Sequence, residues 1–306
     1  MLKERLLRAI FKRYFVWRLD EVGKPQQFVR LEYPVSPEPR YGYGKPAHPE
    51  LQQLFERDRA SYAELLAGLQ RFRDNLVGIA ADAAGPRGNE PVWNNDYFPP
   101  LDAMALYGFL CDRKPNIYLE VGSGNSTAFA RRAIRDHALG TKIVSIDPHP
   151  RAEIDALCDS VVRKPFEQID PCVLNDLGSG DILFIDSSHR SFTNSDVTVF
   201  FLETLPRLKP GILLHIHDIF LPYDYPPEWR GRYYSEQYLL ACYLLADHCG
   251  TSRPSIILPN VFVSRDPALS ALASKIWTGT PLEPLFARLF PRFGGDLGVS
   301  LWLLTA

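Results

Sequence analysis

Ile117-Tyr118-Leu119-Glu120-Val121-Gly122-Ser123-Gly124-Asn125-Ser126-Thr127 carries the strongest structural signal in the chain. Its first five residues are a short, mostly apolar run of strand type, broken at once by Gly122 and Gly124; residues 128–134 then read as helix. A strand that turns through glycines directly into a helix is the first crossover of an open α/β sheet, where ligands gather at the C-terminal ends of strands. Glycine serves such a turn in two ways. It adopts positive φ, and without a Cβ it lets a ligand lie against bare backbone. Ser126 and Thr127 stand where hydroxyls satisfy the free N–H groups of a helix start.

The spacing narrows the ligand. A dinucleotide fingerprint places a third glycine three residues after the second, and here residue 127 is threonine. A phosphate-binding loop needs Gly-Lys followed by Ser or Thr, which is absent. The remaining pattern, Glu120-x-Gly122-x-Gly124-x-Ser126, resembles motif I of the class I S-adenosylmethionine-dependent methyltransferases. The resemblance implies that backbone and side chains of Gly122, Ser123, Gly124 and Ser126 meet the methionine part of the cofactor. It places the acid at the strand end, Glu120, near the ammonium.

Composition sets the frame. With 306 residues, 46% of them hydrophobic and 23% charged, the chain is long enough for one large domain or for a domain with an N-terminal addition. A net charge of −2 gives no ground for nucleic-acid binding across the surface. Cys111, Cys158, Cys172, Cys242 and Cys249 are an odd set without a Cys-x-x-Cys pair, which argues against a disulfide framework or zinc ribbon and suits a reducing cytoplasm. No apolar run is long enough to span a membrane, and charges interrupt the first twenty residues as no signal peptide would.

Residues 2–19 have apolar side chains at helical spacing, from Leu2 and Leu6 to Tyr14 and Phe15, with Lys3, Arg5, Arg8, Lys12, Arg13 and Arg18 between them. Such a basic amphipathic helix suits either an anionic membrane surface, which would make the protein peripheral to the inner membrane face, or a docking site on protein. An extended arm rich in proline, glycine and tyrosine follows over residues 34–49. Next comes a helical stripe of Leu51, Leu54, Phe55, Tyr62, Leu65, Leu66, Leu69 and Phe72. In the loop of residues 85–100, Trp93 to Phe98 read either as a ligand cover or as packing. Residues 1–95 are thus expected to form an N-terminal helical extension, and 96–306 the sheet domain.

From a helix at 101–111 onward the chain alternates. Strands are expected at 117–121, 142–147, 160–164, 181–186 and 211–217, separated by helices near 127–138, 150–157, 167–176 and 193–207. The helix of residues 235–248 and strand candidates at 255–258 and 299–304 complete it. This predicts an α/β fold: a Rossmann-like, seven-stranded, mostly parallel sheet with helices on both faces. Seven strands, the last near residue 304, are again the pattern of the methyltransferases, a resemblance that covers residues 100–305.

Asp147 ends the second strand, where an acid accepts both ribose hydroxyls of a bound nucleoside; the bland alternative is a helix cap. Phe166, just past the third strand, is placed to lie against the adenine or to pack in the core. Asp186 and Asp218 follow strands four and five, which the family fold makes neighbours. His189 lies three residues beyond Asp186, and His215 and His217 alternate onto one face of strand five. Asp186, His189, His217 and Asp218 should therefore converge beside the transferable methyl group, with Asp186 also near the cofactor. His189 or His217, at an ordinary pKa near 6.5, would act as general base at neutral pH. Alternatively, Asp186 and Asp218 would hold Mg²⁺, as in metal-assisted O-methyltransferases, although Ile219 stands where that group often has another ligand.

Between residues 219 and 235 lies a long loop whose aromatic, Arg and Glu side chains suit a hydroxyl-bearing small molecule or glycan, or a protein contact. The expected function is methylation of such an acceptor on oxygen. The competing expectations are a non-catalytic scaffold on the same fold and a nicotinamide-dependent oxidoreductase, which Thr127 disfavours.

Overall fold

The structure is a computed structural model that describes residues 31–83, 89–150, 153–246 and 254–306. The basic helix expected at 2–19 lies outside the described residues, as does Cys249. Contacts thin between residues 37 and 38, and Glu38–Ala306 form one compact unit. Helices α1 (Pro49–Glu56), α2 (Arg59–Leu69) and α3 (Arg73–Val77) belong to that unit. Their Leu51, Phe55, Tyr62, Leu66 and Leu69, with Phe72 of the 3₁₀ turn Gln70–Phe72, share one core with the sheet. The helical extension expected before residue 96 is thus continuous with the sheet domain from residue 49 on. The stripe itself is not one helix, because Asp58 leaves helical geometry at φ −104°, ψ 17°.

Helix α4 (Pro100–Arg113) is buried from Pro100 to Cys111, as a helix sandwiched between other layers must be. Lys114 closes it in left-handed geometry and β1 (Ile117–Val121) begins. The alternation follows: α5 (Asn125–Asp136), β2 (Lys142–Ile146), β3 (Ser160–Val162), β4 (Ile182–Ile185), α6 (Asp196–Val199), β5 (Leu213–Ile216) and α7 (Glu236–Leu245). After α7 come β6 (Ser255–Pro259), α8 (Asn260–Arg265), α9 (Pro267–Ser274), α10 (Glu283–Leu289) and β7 (Leu301–Leu304). Two of the expected helices are absent. Residues 167–176 form only short 3₁₀ turns, Phe166–Gln168 and Pro171–Leu174, because Pro171 has no N–H to continue an α-helix. The described part of 150–157 is the single turn Asp155–Leu157, which Cys158 ends in extended geometry.

The sheet order is β3-β2-β1-β4-β5-β7-β6. All neighbours are parallel except β7, which runs antiparallel between β5 and β6. Register sorts the two faces. Leu119, Leu183, Leu214 and Leu303 align across β1, β4, β5 and β7 on one side. Glu120, Phe184, His215 and Trp302 align on the other. Along this second row His215 stacks on Phe184 at 3.8 Å, and Trp302 meets His215 at 4.6 Å and Phe109 of α4 at 4.7 Å. Among the described residues no helix is long and apolar enough to cross a membrane.

Candidate active site

The turn after β1 is built by close approach. Gly122 adopts φ 80°, and a Cβ there would overlap the carbonyl oxygen of Asp186, so glycine lets the ends of β1 and β4 touch. Gly124 has no heavy atom within 4 Å of its would-be Cβ, which leaves peptide surface open to a ligand. Glu120 is wholly buried beneath the turn. It accepts hydrogen bonds from the hydroxyls of Tyr118 (2.9 Å), Ser126 (3.1 Å) and Thr127. Thr127 in turn accepts from the Gly124 N–H at 3.0 Å. The hydroxyl of Ser126 thus points inward to Glu120 instead of capping the helix start. Burial pushes the Glu120 carboxyl up to about 7, against the pull of the three hydroxyls.

Asp147 stands beside this turn. Its two carboxylate oxygens accept one backbone N–H each, from Ser123 and His149, both at 2.8 Å. Each oxygen keeps a lone pair for a further donor. The Ser123 hydroxyl shares a hydrogen bond with Ser145 at 2.7 Å. Phe166 is buried and lines a cavity of about 150 Å³ with Glu167, Val199, Glu203 and Arg207, which the glycine turn and Asp147 do not border.

Asp186, His189 and Asp218 do come together. Nε2 of His189 lies 3.3 Å from Asp186 Oδ1 and 3.4 Å from Asp218 Oδ2. His189 at φ 61° and Asp218 at φ 55° both occupy the left-handed region, which is costly outside glycine and holds only where the surroundings enforce it. Here the enforcement is visible. Nδ1 of His189 meets Oε2 of buried Glu236 at 2.8 Å, and the His189 carbonyl accepts the N–H groups of Ser235 and Glu236. Glu236 is the principal residue that the sequence reading missed. An acid in the first turn of a helix reads as a complement to the helix dipole, so nothing marks it.

His217 also borders the group, 3.9 Å from Asp218, but its ring is committed elsewhere. Nε2 donates to the Tyr97 carbonyl at 3.1 Å, and Nδ1 meets the Ser300 hydroxyl at 3.0 Å. The same hydroxyl lies 2.7 Å from Nε2 of His215, whose burial holds it well below its ordinary pKa. Asp102, fully buried on α4, lies 3.8 Å from His217 and accepts the Val299 N–H at 3.0 Å. In the loop before α4, Trp93 and Phe98 are core side chains. Asn95 accepts from Tyr97, Phe98 and Asn125, tying that loop to the glycine turn.

These surroundings change the expected protonation. Burial alone would lower the pKa of His189, but hydrogen bonds to Asp186 and Glu236 and the charge of Asp218 carry it well above 6.5. His217 also rises, against its burial, through Asp186, Asp218 and Asp102. Neither histidine therefore has the ordinary pKa expected of a neutral-pH base. The metal expectation also meets a geometric obstacle. Among the described residues no group of three or more His, Cys, Asp or Glu side chains is arranged to hold an ion, and both aspartates converge on the His189 ring nitrogen.

The loop between β5 and α7 walls the group. Gln237 accepts the Phe220 N–H at 2.9 Å and donates to the Tyr223 carbonyl at 3.2 Å. Phe220, Tyr225, Trp229 and Tyr234 pack together, and the Tyr234 ring lies 4.7 Å from that of His189. The arm before α1 holds the loop from outside, with Asp224 accepting the N–H groups of Arg40 (2.6 Å) and Tyr41 (2.9 Å).

Residues 119–219 match the profile of a family described as a methyltransferase domain. No curated protein matches the sequence. Among solved structures, the chain is similar to a methyltransferase of Podospora anserina bound to S-adenosylhomocysteine (SAH). Identity there is 20% and the TM-score 0.35, over 51% of this chain and 73% of that one. It is also similar to a mycolic acid cyclopropane synthase with SAH (15%, TM-score 0.31, 78% and 96% covered). A third is coclaurine N-methyltransferase with N-methylheliamine and SAH (11%, TM-score 0.28, 84% and 92%). Likeness this faint says nothing of chemistry. The family match covers a third of the chain and spans the glycine turn, Asp147 and the two strand ends that bear Asp186 and Asp218, on a sheet whose one antiparallel strand is the seventh: over these residues the chain is similar to a methyltransferase domain.

Proposed function

We propose that this protein transfers a methyl group from S-adenosylmethionine to a hydroxyl oxygen of a small, polar or glycan-like acceptor. The observation that carries the reading is the convergence of Asp186, His189 and Asp218 beside the glycine turn. Bound there, S-adenosylmethionine supplies an electrophilic methyl group on a positively charged sulfur. The open peptide at Gly124 receives its methionine part, and Asp147 accepts the ribose hydroxyls with its remaining lone pairs. Glu120, buried under the turn, acts on the ammonium only through the backbone it shapes. Phe166 is assigned to the adenine by its place after β3 alone.

Asp218 takes the acceptor's proton. A hydroxyl oxygen gaining a bond to carbon becomes far more acidic than a carboxylic acid, so a positioned carboxylate suffices. His189, held as imidazolium by Glu236, fixes Asp186 and Asp218 in direction. His217 holds the Tyr97 carbonyl and so the edge of the cleft. No cation is required.

Calorimetry with SAH tests the cofactor half. Asp147→Ala should weaken binding by about 1.5–3 kcal/mol, the worth of charge-assisted hydrogen bonds; equal affinity would remove Asp147 from the site. Turnover with methyl-labelled cofactor tests the chemistry. Asp218→Asn should lower it by about 10²–10⁴ and leave SAH affinity unchanged. A chelator should have no effect; silencing that Mg²⁺ reverses would restore the metal mechanism.

A further inference from the structure

Two guanidinium groups at the rim of the cluster are held in place and, among the described residues, left without an acid. Arg190 directly follows His189; its Nε donates to the Arg232 carbonyl at 2.8 Å, and its guanidinium lies 5.1 Å over the Tyr234 ring. Arg232 lies 3.9 Å over Trp229 and 5.5 Å over Tyr234. Tyr234 is thus a hub, with His189 at 4.7 Å and both arginines beside it. Many other arginines sit on carboxylates, among them Arg59 on Asp266, Arg131 on Asp159, Arg135 on Glu90, Arg230 on Glu38 and Arg265 on Asp296, while Arg73 and Arg207 spend their N–H groups on backbone carbonyls. Among the described residues neither Arg190 nor Arg232 makes such an ion pair. Stacking on aromatic rings fixes the plane of a guanidinium and leaves its edge N–H groups free, which suits two-point recognition of a carboxylate or phosphate.

We infer that the acceptor is a hydroxylated anion whose carboxylate or phosphate binds Arg190 and Arg232 while its hydroxyl reaches Asp218; this rests on the methyl-transfer reading above. The cleft is then bipolar. Two aspartates line the reacting end, and two arginines line the end one aromatic ring away. An anionic group is repelled from the aspartates and drawn to the arginines, so charge alone turns the hydroxyl toward the base.

The test supplies the enzyme with methyl-labelled S-adenosylmethionine and a small-molecule extract of the source cells, then separates labelled products on an anion exchanger. Label in the retained fraction is expected, and treatment with phosphatase separates phosphate esters from carboxylates. The double variant Arg190→Gln/Arg232→Gln should need a ten- to hundredfold more concentrated extract for half-maximal rate, with its SAH affinity unchanged. Arg230→Gln, which removes a neighbouring arginine already paired with Glu38, should behave as wild type. Label confined to the unretained, neutral fraction would overturn the inference and leave methyl transfer standing, as would an unaltered concentration dependence in the double variant. Absence of any labelled product from a wild type that binds SAH would overturn both.

Discussion

Glu120 and His189 show how single buried groups tie this protein's stability to pH. The folded Glu120 binds its proton up to about pH 7, whereas an unfolded glutamate releases it near pH 4.5. Its contribution is complete below 4.5 and is lost as pH rises through 7. His189 follows the same sign at higher pH: its contribution is complete below 6.5 and is lost as pH rises through its elevated value. The Glu120→Gln variant keeps an acceptor for the hydroxyls of Tyr118, Ser126 and Thr127 but cannot ionise. Its thermal midpoint should therefore gain on that of wild type between pH 4.5 and 7, and a constant difference would mean that Glu120 ionises freely in the fold. Glu236→Ala strands the imidazolium of His189 beside a vacated acid position. Loss of one member of a buried pair costs about 3–5 kcal/mol, to be read from denaturant midpoints. A cost below 1 kcal/mol would show that Glu236 does not hold the ring.

Among the elements, β1 with its glycine turn is the most constrained. Gly122 combines positive φ with contact against the Asp186 backbone, so no side-chain rotation can relieve an added methyl group. Gly122→Ala should separate the ends of β1 and β4, abolishing SAH binding measured by calorimetry and lowering the thermal midpoint. Wild-type affinity in this variant would place the cofactor elsewhere. Most strands were readable from sequence because buried parallel strands are short apolar runs, and β1, β2, β4 and β5 stop at Gly122, Asp147, Asp186 and His217. Asp186, His189 and Asp218 were readable because sheet topology brings those strand ends together. The crossover before β4 was not, since its apolar residues serve 3₁₀ turns around Pro171. Nor were Asp102 and Glu236, which look like ordinary acids of a first helical turn until burial shows what they face. The raised pKa of His189 was out of reach for the same reason, because Glu236 lies forty-seven residues away.

Across the whole molecule, the arm ahead of α1 and the loop after β5 form one unit around Asp224. The backbone reinforces it: the Asp224 N–H donates to the Tyr41 carbonyl and the His48 N–H to that of Pro222. Asp224→Ala should free the arm and so speed protease cleavage within residues 38–48, without altering SAH affinity; unchanged cleavage would mean that the backbone bonds suffice. The central place of β7 reaches further. It alone joins β6 to the sheet, and the residues just before it supply Ser300 to His217 and the Val299 N–H to Asp102. A nascent chain that stops short of residue 299 leaves β5 as a bare sheet edge, open to pairing with other chains. A premature stop late in the message therefore yields an aggregation hazard, in which His217 has lost Ser300 and Asp102 the Val299 N–H.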